Sequence, residues 1–226
     1  MPSENKSKTS LWSVTFILLI LMTFLNGTAG MMTVPLVAKY AKALARRFGI
    51  ARHKVVRLDF YRHLTRNALM DDDIPIARHK GSSCPTTVVE GRNAFFLLSA
   101  GVWAKSLGAR EIYTGVSQAD YSGYPDCRAA FVKAQEKMMR LAMEWPFRIV
   151  TPFMNKTKAE EWALADKLGI LDVVKNETLT CYNGIPGSGC GKCPACKLRN
   201  AGLREYERQR AAMLTARRCV SPGRSK

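Results

Sequence analysis

The sequence predicts an α/β protein built on a parallel sheet. Helical spacings of apolar residues alternate along the chain with short runs rich in β-branched residues, the pattern of successive βαβ units. A chain of 226 residues, 47% of them hydrophobic, can bury one core and carry a small appendage. Four of the seven cysteines fall close together near the C-terminus, which predicts that the appendage is held by a metal.

Residues 1–10 are polar and read as disordered. Residues 11–25, LWSVTFILLILMTFL, form an apolar run after Lys6 and Lys8, and the small residues Gly27-Thr28-Ala29-Gly30 follow. This has the shape of a signal peptide or short anchor, although a full membrane span needs about 20 apolar residues. Two other readings compete: a buried strand before a glycine turn, or translated sequence upstream of a start at Met31 or Met32. Residues 1–31 are therefore set apart as an atypical N-terminal segment. The expected location is cytoplasmic, with a membrane tether through residues 11–25 as the alternative.

Apolar positions 36, 37, 40, 41, 44, 45 and 48 predict a helix that Gly49 closes. Val55 and Val56 suggest a strand over 53–60. Residues 61–90 look irregular, and the consecutive Asp71-Asp72-Asp73 reads as a solvated loop. Residues 90–93 open a long apolar helix to about Leu107, closed by Gly108. A strand is expected over 111–117, a helix over 129–143 and a strand over 147–153. A helix over 157–168 follows, with Asn155 or Thr157 as its cap and Gly169 as its stop. A basic helix over roughly 197–213 closes the domain. The expected division is 1–31, an α/β body over 32–175, a knuckle and closing helix over 176–210, and a basic disordered tail over 211–226.

The formal charge of +17 is concentrated in two stretches, 36–66 and 197–226, with nine Lys or Arg in each. Such a surface attracts nucleic acid, phosphorylated ligands or anionic lipid, while a solvated charged face is the plainer reading. No aromatic-interleaved RNA-binding signature accompanies it, so RNA binding rests on charge alone.

The cysteines are Cys181, Cys190, Cys193 and Cys196, spaced Cys-x8-Cys-x2-Cys-x2-Cys. Two-residue gaps let a tight turn point neighbouring thiolates at one zinc ion. Disulfides, a redox Cys-x-x-Cys or an iron–sulfur cluster are the competing readings. Thiolate ligands suit a reducing compartment.

In an open parallel sheet, ligands bind beyond the carboxyl ends of the strands, where residues 120–128 leave the 111–117 strand. Tyr124 offers a ring for stacking, Asp126 an acceptor for a guanine-like N–H edge, and Arg128 a partner for carboxylate or phosphate. The alternative makes Asp126 the N-cap of the 129–143 helix and leaves Arg128 on the surface. Arg92 and Asn93, at a helix start, form a candidate anion site or an ordinary cap. Cys127 has no histidine near it in sequence and reads as a packed thiol.

Taken in order, Gly-Arg-Asn at 91–93, Thr-Gly-Val-x3-Asp-Tyr-Ser-Gly-Tyr-Pro-Asp-Cys-Arg at 114–128 and Asn-Glu-Thr-Leu-Thr-Cys-Tyr-Asn-Gly with Cys-Gly-x-Cys-x2-Cys at 176–196 resemble the 7-cyano-7-deazaguanine synthases of queuosine precursor biosynthesis. The likeness runs over about 34–206. It implies a Rossmann-like nucleotide-binding fold of the PP-loop, adenine nucleotide alpha hydrolase-like kind. It also implies a ligase that joins 7-carboxy-7-deazaguanine to ammonia with two ATP and Mg2+. The carboxylate is adenylated, ammonia gives the amide, and a second activation gives the nitrile. One zinc per chain on Cys181, Cys190, Cys193 and Cys196 is implied, with Arg92, Asn93, Tyr124, Asp126 and Arg128 in the substrate cleft and a homodimer as the assembly. The family's Ser-Gly-Gly-x-Asp-Ser phosphate loop has no match here, and the nearest stretch, 24–30, lacks the Asp-Ser pair. The first strand-helix-strand is thus expected to be missing or replaced, and the ATP-binding and catalytic residues stay unassigned. The contrasting expectation is a zinc-stabilised module that binds a nucleobase or RNA without catalysis, or an inactive membrane-tethered remnant.

Overall fold

The computed structural model describes residues 34–50, 52–56, 60, 63–68, 71, 73–77, 79–82, 84–118 and 124–220. The apolar run over 11–25 and the stretch 24–30 lie outside them. Among the described residues, no helix is long and apolar enough to cross a membrane.

Helix α1, Val34–Arg47, buries Ala41, Leu44 and Ala45 on one stripe against Val173. Its last turn carries Arg46 and Arg47, which suits the negative end of a helix dipole. Arg47 pairs with Glu177 at 2.8 Å and ties this end to the approach to the cysteines. The strand expected over 53–60 is not present over 53–56, where Val55 and Val56 are largely exposed. Without a buried face, their β-branched character has nothing to pack on.

Helix α2, Arg92–Ser106, leads into β1, Glu111–Tyr113, then helix α3, Ala129–Met143, and β2, Arg148–Val150. The two strands pair in parallel, Ile112 opposite Ile149. A parallel pair needs a crossover, and α3 supplies it. Leu97, Ala100 and Ala104 of α2, Ile112, Val132 and Met139 of α3, Phe147 and Ile149 form the core. Gly101 lets α2 and α3 approach, because a Cβ there would lie 2.2 Å from Met139 Cε. Both strands are shorter than the apolar runs suggested. Extended chain continues beyond them, with Thr114 N–H donating to Val150 O and Gln118 N–H to Met154 O. Between those two bonds the chain turns at residues 152–155, which breaks the ladder.

The Ile149 N–H points away from β1 and donates to the Glu136 carboxylate of α3 at 2.6 Å. Helix α4, Lys158–Lys167, starts at Thr157, one of the two caps that the sequence offers, and forms a reciprocal capping box with Glu160. A short helix α5, Leu171–Asn176, precedes the cysteines. Helix α6, Pro194–Val220, begins inside the cysteine stretch and packs on α4 through Trp162, Ala159 and Tyr206. Gly202 permits that contact: a Cβ there would lie 2.4 Å from Lys158 Cβ and 3.0 Å from its carbonyl carbon.

The last helix runs through 211–220, part of the stretch for which the sequence suggests a disordered tail. Its residues 207–216 are all exposed, so packing does not hold them. Ala, Arg, Leu and Met favour helix, and the first breaker is Pro222.

Candidate functional site

Two clusters meet beside the start of α2. The first is the cysteine knuckle. The Sγ atoms of Cys181, Cys190, Cys193 and Cys196 all lie within 4.8 Å of one another. Four thiolates bound at about 2.3 Å around one ion stand roughly 3.8 Å apart, so the set fits a tetrahedral ion after a small contraction. None of the four forms a disulfide. Main-chain N–H groups of Lys192 and Cys193 donate to Cys190 Sγ at 3.4 and 3.3 Å, and Cys190 N–H donates to Cys181 Sγ at 3.4 Å. Asn183 Nδ2 donates to Cys190 Sγ at 3.4 Å.

Those donors set the ionisation of the thiols. The N–H groups of Cys193 and Lys192 bring Cys190 down to about 6. Burial pushes Cys193 up, and Cys196 up to about 12. A divalent cation supplies the charge that buried thiolates need in order to ionise. Gly189 takes φ +71, and a Cβ there would lie 2.3 Å from Cys196 Sγ. Both its conformation and its closeness to sulfur demand glycine.

The second cluster joins α2 to the loop before α3. Asn93 N–H donates to Asp126 Oδ2 at 3.0 Å, Asn93 Nδ2 donates to Asp126 O at 3.1 Å, and Cys127 Sγ lies 3.5 Å from the same Nδ2. Asp126 sits in a single 3-10 turn, Pro125–Cys127. It does not cap α3. Arg128 occupies that N-cap position without a side-chain capping bond. Asp126 instead satisfies a free N–H in the first turn of α2, so the helix start read as an anion site holds the protein's own carboxylate. Arg128 is exposed and donates from Nε to Pro125 O at 3.1 Å.

Arg92 is buried, with its guanidinium over the Tyr124 ring at 5.6 Å. Tyr124 shares hydrogen bonds with Thr87 Oγ1 at 2.6 Å and with the Tyr182 hydroxyl at 3.1 Å. Burial, then the adjacent Tyr124, raises the Tyr182 phenol well above the usual tyrosine range, which keeps it a proton donor. Tyr182 follows Cys181 directly, and both pack with Val89 and Phe95 in one apolar cluster. The hydroxyl chain therefore links the 124–128 loop to the knuckle. Arg92, Asn93, Tyr124 and Asp126 come together, whereas Arg128 turns back on its own loop. Thr87 and Tyr182 were not foreseen. Thr87 lies in a stretch with no periodicity, but an aromatic beside a clustered cysteine was a usable signal for Tyr182.

The fold and this pair of clusters define a class: an α/β protein with parallel strands and four cysteines in metal-site geometry beside a polar, partly buried side-chain cluster. The chain belongs to the family described as queuosine biosynthesis protein QueC, whose pattern matches residues 35–207. A 7-cyano-7-deazaguanine synthase of Bacteroides fragilis is 53% identical over 167 residues, covering 74% of this chain and 76% of its own. A synthase of the same name from Phocaeicola vulgatus is 50% identical over 167 residues, covering 74% of each chain.

Proposed function

We propose that the protein is a 7-cyano-7-deazaguanine synthase, an ATP-dependent carbon–nitrogen ligase of queuosine biosynthesis. It joins 7-carboxy-7-deazaguanine to ammonia and dehydrates the amide to the nitrile, activating the oxygen each time with ATP and Mg2+. One observation carries the reading: the Tyr124–Tyr182 contact holds the loop bearing Asp126 and Arg128 against the cysteine knuckle, all inside the matched residues 35–207.

In this reading zinc is held by Cys181, Cys190, Cys193 and Cys196 and supplies structural charge rather than a reaction step. The deazaguanine stacks near Tyr124, between Arg92 and Asp126, with Asn93 fixing the Asp126 turn and Arg128 at the exposed rim. The body is a Rossmann-like PP-loop domain, the assembly a homodimer and the location cytoplasmic. The phosphate loop expected of the family has no counterpart in the sequence, so the test must use this chain alone. Incubation of the purified full-length protein with the deazaguanine acid, ammonium and Mg-ATP should yield the nitrile and AMP. No product at stoichiometric enzyme concentration overturns the assignment for this chain.

A further inference from the structure

We propose that Arg92 is the counter-ion of an anionic group on the bound ligand, either the carboxylate of the deazaguanine acid or a phosphate of ATP. This rests on the synthase reading above and gives one residue of that cleft a specific task. Arg92 is 8% exposed, and its Nε is fully buried without an acceptor. No acidic side chain among the described residues forms an ion pair with it. The guanidinium lies over the Tyr124 ring, whose face offsets only part of the cost of burying it.

The neighbouring carboxylate does not serve. Asp126 accepts the Asn93 N–H through Oδ2, and no ion pair joins it to Arg92 among the described residues. Buried polar groups are paired almost everywhere in folded proteins, so the unmet Arg92 Nε, a donor, marks a place that an acceptor on a ligand completes. A buried guanidinium takes an oxyanion in a planar, two-pronged bond, which carboxylate and phosphate both offer. With the carboxylate as that anion, the task is also selective, because the charge it matches is present on the acid and absent from the amide and the nitrile.

Calorimetric titration of the full-length, zinc-loaded protein tests this with four ligands: the acid, its neutral 7-carboxamide, ATP and adenosine. Arg92→Met should weaken the acid on the order of a hundredfold and the carboxamide by less than about threefold. Arg92→Lys, which keeps charge but loses the fork, should fall between. Loss of ATP relative to adenosine, with the acid retained, would assign the phosphate as the anion. A folded, zinc-loaded Arg92→Met protein that binds both anions like wild type overturns the proposal. Should that variant not fold, Arg92→Lys and the wild type decide. A wild type that binds acid no tighter than carboxamide, and ATP no tighter than adenosine, also overturns it. Failure of the wild type to bind either anion is a different result: it removes the synthase reading, and this inference with it.

Discussion

Each cysteine of the knuckle has a different local duty. Cys190 collects the main-chain donors of Lys192 and Cys193 and the Asn183 amide, while Cys181 and Cys196 are almost fully buried. Loss of a thiolate from such a set leaves a closed metal site three-coordinate. Cys190→Ser and Cys196→Ser proteins should therefore bind much less than one metal ion per chain by elemental analysis. Wild-type metal content in both would overturn the ligand assignment. At this scale the sequence was most legible where chemistry is dense. The four cysteines and the Arg92, Asn93, Tyr124 and Asp126 set can be picked out from residue type and order. The target of Asp126 could not, because its partner at Asn93 is 33 residues away and only the fold sets their distance.

Among the elements, helix ends were legible and strand ends were not. Gly49, Gly108 and Gly169 all take positive φ just past a helix, where the sequence places them. Helix ends are local, decided by one or two residues. Strand length depends on a partner far along the chain, and β1 and β2 stop where the chain turns after Val150. The α4 start offers a pH test. The Thr157 N–H, then the Thr157 hydroxyl, hold Glu160 below its ordinary value of about 4.5. A depressed carboxylate stabilises the fold above that value, and the contribution is lost as pH falls through the folded pKa. Glu160→Gln keeps the cap but not the charge. The melting-temperature gap between wild type and variant, measured from neutral pH into acid, should narrow below about pH 4.5. A gap that stays constant would remove this account. Packing of α6 on α4 depends on Gly202, where the obstructing atoms include Lys158 backbone. Gly202→Ala should destabilise by about 1–3 kcal/mol in urea unfolding, and an unchanged midpoint would show that the two helices are not so closely set.

Over the whole molecule, the knuckle and the 124–127 turn are joined through Cys181, Tyr182, Tyr124 and Thr87. Removing metal should then be felt beyond the cysteines. Hydrogen exchange of the full-length protein should speed up at residues 124–127 after chelation and leave the middle of α3 slow. Protection that is unchanged at 124–127 would uncouple the two clusters. Tyr182→Phe should give the same local loosening while keeping its bound metal.

The Glu136 carboxylate on the Ile149 N–H has a consequence for how the protein behaves in company. The outer margin of β2 is where another chain's backbone could add itself, and an unprotected margin invites stacking of one molecule on the next. Glu136 spends its side chain as a stopper on that seam. Its removal, in Glu136→Ala, should leave the monomer folded but prone to aggregate, so that light scattering rises with concentration while circular dichroism stays native. Unchanged scattering in Glu136→Ala would show that this seam needs no stopper, and Glu136 belongs to the crossover helix α3 rather than to the cysteine knuckle.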